Sequence, residues 1–290
     1  MLYIESPRLR VEIASPHQPP ATTTRFDAAG FITEIVLDGV HRFCATEPNN
    51  LSHPSSGGRG LCSEYAFDVS HEAEIGGWFP KPGVGLLKKT SNAPYYFANP
   101  YEVSPCEIEY TQNVSSITFT TAPQPCMGYA VRQTKTIALE GNTLTMDIRL
   151  VNDGEKQFVA REYCHNFLTI NGMAIGPDYL VESPQFPDLG RAPLEGMLIG
   201  AGRGFTFAPY APPASFIKLD ETLLPLNQPL EWTMTNAAAK ARIAVNDVIS
   251  LCGIAIWAVD HMVSVESFHA LSLAPGQTGS WKRIWRFEAI

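Results

Sequence analysis

Thr134-Lys135-Thr136-Ile137-Ala138-Leu139 leads through Glu140 to Gly141-Asn142 and on to Thr143-Leu144-Thr145-Met146-Asp147-Ile148-Arg149-Leu150-Val151. In the second half Leu144, Met146, Ile148 and Leu150 alternate with Thr145, Asp147 and Arg149, so a strand would turn all its apolar side chains to one face. Gly141-Asn142 is suited to the tight turn of a hairpin. The stretch therefore predicts an antiparallel pair of strands, each half buried. Similar runs occur at 31–37, 116–121, 161–170, 251–259, 263–273 and 281–287, with Gly, Pro or Asn-Asp between them. Twenty-three prolines are spread along the chain and interrupt long helices. Many strands without helix–strand alternation predict an all-β protein, a large antiparallel β-sandwich, and not a parallel α/β fold. Only 235–242, with Ala237-Ala238-Ala239 behind Thr235-Asn236, has the propensity for one or two helical turns. No repeat, low-complexity tract or linker is visible, which predicts one domain over 1–290.

The 290 residues are 45% hydrophobic and 17% charged, enough apolar material for a substantial core. The net charge of −8 offers no electrostatic footprint for nucleic acid or an anionic membrane, and a neutral or weakly charged small molecule is the expected partner. Residues 1–10 carry Glu5, Arg8 and Arg10 and do not read as an export signal, and the longest apolar run, near 251–259, is too short to span a bilayer. A cytoplasmic protein is expected. Cys44, Cys62, Cys106, Cys126, Cys164 and Cys252 are irregularly spaced with no Cys-x-x-Cys pair, so reduced thiols and no metal site are expected.

Two strand-like runs carry ionisable groups. In Arg161-Glu162-Tyr163-Cys164-His165-Asn166-Phe167-Leu168, period two groups Tyr163, His165 and Phe167 on one face and Cys164, Leu168 and Ile170 on the other. In Ser264-Val265-Glu266-Ser267-Phe268, Glu266 shares a face with Met262 and Phe268, opposite Val263 and Val265. Brought together, a histidine that titrates near neutral pH and a carboxylate would form an acid and base pair. The alternatives are a core histidine bonded to backbone and a glutamate on a solvated face.

Gly57-Gly58-Arg59-Gly60, followed by Glu64, lacks the Gly-Lys-Ser/Thr of a phosphate loop. It reads as a rim loop with Arg59 donating to hydroxyls, or as a surface turn. Trp78 and Phe79, in a loop rich in glycine, could present a ring face to sugar C–H bonds or pack in the core. His53, His71, His261 and His269 show no metal-ligand spacing.

At these residues the chain resembles the aldose 1-epimerase, or galactose mutarotase-like, superfamily. The resemblance rests on Tyr163-Cys164-His165-Asn166-Phe167-Leu168, Gly83-Val84-Gly85-Leu86-Leu87-Lys88, Val265-Glu266-Ser267-Phe268, Leu273-Ala274-Pro275-Gly276 and Trp281, and spans the chain from Arg25-Phe26-Asp27 onward. It implies a β-supersandwich that binds a monosaccharide, with His165 as general acid and Glu266 as general base, interconverting α and β anomers without a cofactor. Arg59, Glu64, His71, Trp78, Tyr163 and Phe167 are the candidate sugar contacts. The chain departs from the family in lacking His-Gly-Gly, for which His71 or His53 would have to substitute, and in lacking an identifiable binding aspartate, although Asp178 and Asp260 are available. The alternatives are a sugar phosphate held by cations among Arg25, Arg59, Lys81 and Lys88, and a non-catalytic carbohydrate-binding protein.

Overall fold

The computed structural model describes residues 1–16, 24–47, 57–209 and 214–290, so His53 lies outside the described residues. Two antiparallel sheets dominate. The first has nine strands, in the order Leu2–Glu5, Leu9–Ile13, Ile32–Leu37, Gly60–Ala66, Phe158–Phe167, Met262–Leu273, Leu251–Val259 and Ser215–Lys218, with His41–Arg42 added to the third of these. The second has ten: Leu198–Gly200, Gly204–Phe207, Tyr179–Glu182, Leu230–Asn236, Ala241–Val248, Thr278–Ala289, Thr143–Asn152, Val131–Glu140, Ser116–Thr121 and Ile108–Gln112. A three-stranded sheet joins Trp78–Lys81, Gly85–Lys88 and Val103–Pro105. Among the described residues the only helical elements are the 3-10 turns Ser70–Glu72 and Glu221–Leu223. No helix among them is long and apolar enough to cross a membrane.

The alternation that predicts the hairpin also builds the core. Leu139 stands opposite Leu144 and Glu140 opposite Thr143, with Gly141 at φ +57° in the turn. Leu144, Met146, Ile148 and Leu150 are buried between the two large sheets with Trp285, against Leu61, Cys164, Leu168 and Val265 of the nine-stranded sheet. Each large apolar side chain removed from water in this way contributes roughly 1.5–3 kcal/mol.

The helical turn expected over 235–242 is instead the tip of a hairpin. Leu230–Asn236 and Ala241–Val248 pair from Leu230 opposite Asp247 to Asn236 opposite Ala241. Residues 237–240 make the turn, where Asn236 Oδ1 accepts the Ala239 amide at 2.7 Å and Lys240 takes φ +50°. Leu230, Trp232 and Met234 alternate toward the core and pack with Ile243 and Val245. That burial outweighs the helix preference of three alanines.

Phe158–Phe167 and Met262–Leu273 lie side by side at the centre of the nine-stranded sheet. Their ladder runs from Phe158 opposite Leu273 to Glu162 opposite His269 and resumes where Leu168 bridges Val263. In the gap Asn166 Nδ2 donates to the Val265 carbonyl at 2.6 Å. Continued through the gap, the register brings His165 across from Glu266.

Candidate active site

The face of the nine-stranded sheet turned away from the ten-stranded one carries a buried polar cluster. His165 Nδ1 lies 2.8 Å from Glu266 Oε1, and both side chains are less than one-tenth exposed. The approach is close but not an aligned hydrogen bond, because Nδ1 has no acceptor in line with it. Ser264, two residues before Glu266 and on the same face, donates its hydroxyl to Glu266 Oε1 at 3.2 Å. On the other side Gly60–Ala66 pairs Cys62 with His165 and Glu64 with Tyr163. Glu64 Oε2 accepts from Arg25 Nε and from the Tyr163 hydroxyl, each at 2.5 Å, and Oε1 accepts from Lys81 Nζ at 3.3 Å. Arg25 Nη2 reaches the Tyr163 oxygen at 3.1 Å and His165 Nε2 at 2.7 Å.

Aromatic rings surround the polar atoms. Phe167 stacks on His165 with centroids 4.9 Å apart and planes 5° apart, and Phe26 meets the imidazole edge-on at 5.3 Å. Tyr163 packs on Phe268 at 4.6 Å, and Trp257 stands edge-on to Phe167 at 6.1 Å. Ala255, opposite Glu266 on the next strand, leaves the floor there low. Phe26, Phe167 and Tyr163 are themselves buried, so the rings shield the polar atoms from water.

The segment carrying Arg25 is pinned to the opposite sheet. Asp27 is buried and accepts from Lys135 Nζ at 2.6 Å and Gln133 Nε2 at 2.8 Å. Gly83 allows this approach, since a Cβ there would come within 2.6 Å of the Asp27 side chain. Gly58 does the same at Phe167, whose ring occupies the place of a side chain.

The structure brings Glu64, Tyr163 and Phe167 to His165, but not Arg59, His71 or Trp78. Arg59 is exposed, and its Nε donates to the Thr33 carbonyl at 2.9 Å, which holds that edge of the guanidinium against the strand Ile32–Leu37. His71 is exposed in the Ser70–Glu72 turn beside Glu72. Trp78 belongs to the three-stranded sheet with Lys88 Nζ 5.6 Å from its ring, while Phe79 fills the small core with Val84 and Leu87. Asp178 is exposed, and Asp260 pairs with His261 at 2.6 Å. Ser264, Trp257 and Phe268 join the cluster without having been site candidates, and Arg25 and Lys81, named above only as phosphate partners, bind Glu64. The one local signal for Arg25 was a cation, an aromatic and an acid in succession at Arg25-Phe26-Asp27. Of two cavities bounded by described residues, one beside Tyr65 and Gln133 has Lys81 in its wall and the other lies around Glu182, Arg203 and Arg286, and neither is lined by His165 or Glu266.

Burial alone would raise the Glu64 carboxyl, but Lys81 and Arg25 outweigh it and bring it from 4.5 down to about 2. The Lys81 ammonium is itself lowered, since the desolvation it suffers exceeds what Glu64 returns. Glu64 is therefore a fixed anion. A carboxylate depressed on folding contributes stability that is full above 4.5 and disappears as pH falls toward about 2. Its contribution is roughly 3 kcal/mol. We expect the gap in unfolding free energy between the wild type and Glu64→Gln, measured by urea titration, to be largest above pH 5 and to close through this window. A gap independent of pH would contradict it.

No protein-family model matches the chain, and no curated protein does. Solved structures match over its whole length. A galactose mutarotase related enzyme from Lactobacillus acidophilus superposes with a TM-score of 0.59 at 14% identity, covering 99% of this chain and 97% of that one. A galactose mutarotase-like protein from Lactobacillus casei gives 0.57 at 14% identity, covering 99% and 100%. The GalM/aldose epimerase homologue from C. elegans gives 0.53 at 12%, covering 100% and 98%. At such identities the likeness speaks for architecture, and the chain has the antiparallel β-sandwich fold of the aldose 1-epimerase and galactose mutarotase-like proteins.

Proposed function

We propose that the protein interconverts the α and β anomers of a neutral aldose, with Glu266 as base and His165 as proton donor. The observation that carries this reading is the 2.8 Å approach of His165 Nδ1 to Glu266 Oε1 on an aromatic-lined sheet face. The two oxygens that exchange protons in a hemiacetal sit on one carbon, so an adjacent acid and base can serve both. Glu266 would take the proton of the anomeric hydroxyl while His165 supplies one to the ring oxygen. The C1–O bond of the ring opens, the carbonyl turns, and closure with the roles reversed gives the other anomer. The same proposal takes 1–290 as one domain, supported by a nine-stranded sheet that includes both Leu2–Glu5 and Met262–Leu273.

Charge favours a neutral sugar over a phosphorylated one. Lys88 pairs with Glu102 at 2.8 Å and Arg59 holds a backbone carbonyl, while Arg25 and Lys81 converge on Glu64, which with Glu266 balances them. The experiment is saturation-transfer NMR or polarimetry on a panel of aldoses and their phosphates. We expect acceleration of at least one free aldose, with its 6-phosphate turned over no better. Tight binding of a sugar without acceleration of any would replace this reading with that of a binding protein.

A further inference from the structure

We propose that Arg25 is a positioning residue that holds His165 in the tautomer with its proton on Nδ1, making the nitrogen beside Glu266 the donor to the substrate. This deepens the proposed mutarotase reading and rests on it for the identity of the substrate. Arginine has no acceptor and keeps its proton, so its Nη2 at 2.7 Å from His165 Nε2 can only donate. Nε2 therefore accepts through its lone pair, and the proton of the neutral ring sits on Nδ1. That tautomer is not the one a free imidazole prefers, and here a cation imposes it. The nitrogen that donates is chosen by the bond that the other one makes.

Two further observations agree. Nδ1 is buried without an aligned partner, 2.8 Å from Glu266 Oε1 but off its line. A buried donor without an acceptor is costly, and a substrate oxygen would satisfy it. Arg25 is also held independently of His165: Glu64 and Tyr163 take its Nε and Nη2, Phe97 and Phe26 lie 4.3 and 5.0 Å from its guanidinium carbon, and Asp27 anchors the segment. The guanidinium is thus fixed before it meets the imidazole.

The proton count closes without solvent. Oε1 of Glu266 takes the anomeric proton, and the electron pair left on that oxygen forms the carbonyl as the C1–ring-oxygen bond breaks. The pair from that bond goes to the ring oxygen, which takes the Nδ1 proton in the same event. On closure Nδ1 takes its proton back from the ring hydroxyl and Glu266 returns its own to the anomeric oxygen, which restores both groups. Arg25 opposite stabilises the negative charge that develops on the imidazole.

The test is a long-range 1H–15N spectrum of the full chain labelled with 15N-histidine, the His165 ring being the one lost in His165→Gln. We expect a protonated Nδ1 and an unprotonated Nε2 in the wild type. Arg25→Met should move the proton to Nε2 and lower turnover, and Arg25→Lys should keep it on Nδ1. An Nε2-protonated ring in the wild type, or an unchanged ring in folded Arg25→Met, would overturn the proposal. If Arg25→Met loses its fold by circular dichroism, the wild-type ring decides. The spectrum needs no turnover, so a protein inactive on every sugar would sink the mutarotase reading alone, and an active protein with Nε2 protonated would sink this one alone.

Discussion

Glu266→Gln is expected to remove roughly 10²-fold or more of the anomer-interconversion rate, and His165→Asn a similar share, with the far-UV circular dichroism of both variants unchanged. Glutamine keeps the shape and the Ser264 contact of Glu266 but cannot take a proton from the anomeric hydroxyl. Asparagine keeps an amide donor near the place of the imidazole but cannot give a proton to the ring oxygen and take it back on closure. Because the two groups lie 2.8 Å apart and act on oxygens of one carbon, they should behave as a unit. The double variant should then lose no more than the worse single one, which is the mark of residues that serve one step. Full activity in either single variant would remove that residue from the mechanism, and additive losses would show that they act separately.

Much of the fold was legible because its signal is local. Period-two alternation within 143–151, 161–170 and 263–273 is enough to say which side chains share a face, and the structure puts Cys164, Leu168, Val263 and Val265 in the core. The faces of His165 and Glu266 follow from the same pattern. What alternation cannot supply is a partner distant in sequence. Arg25 and His165 are 140 residues apart, and Arg25 comes from a segment without strand periodicity. Glu64 was a site candidate, but its clamp between Arg25 and Lys81 depends on three segments meeting. Arg59 and Trp78 carry chemistry that suits a sugar rim, and His71 could only stand in for the histidine the chain lacks. Each found a nearer partner or solvent once the loops took their places.

The variant expected to cost most stability is Arg283→Met. Arg283 is fully buried between the two large sheets, donating to Glu162 Oε2 at 2.8 Å, Asp247 Oδ1 at 3.0 Å and the Ser267 hydroxyl at 2.7 Å. Burial works against the guanidinium charge, but Glu162 and Asp247 outweigh it and raise its affinity for the proton above the ordinary value. Removing it would leave two carboxylates buried without a cation, a defect that typically costs about 3–5 kcal/mol. The site should feel it as well. Glu162 precedes His165 by three residues and Ser267 follows Glu266, so Arg283 spans the two central strands beside the gap in their ladder, where Asn166 supplies the other cross-link. Replacing the whole cluster, as Arg283→Met with Glu162→Gln and Asp247→Asn, should restore most of the stability by removing the stranded charges. It should not restore the strand alignment, and anomer interconversion should stay below wild type. Urea unfolding and the NMR rate assay read the two effects separately. A loss under about 1 kcal/mol in Arg283→Met would mean that the carboxylates find other partners, and wild-type turnover in the triple variant would show that the backbone ladder alone aligns His165 with Glu266.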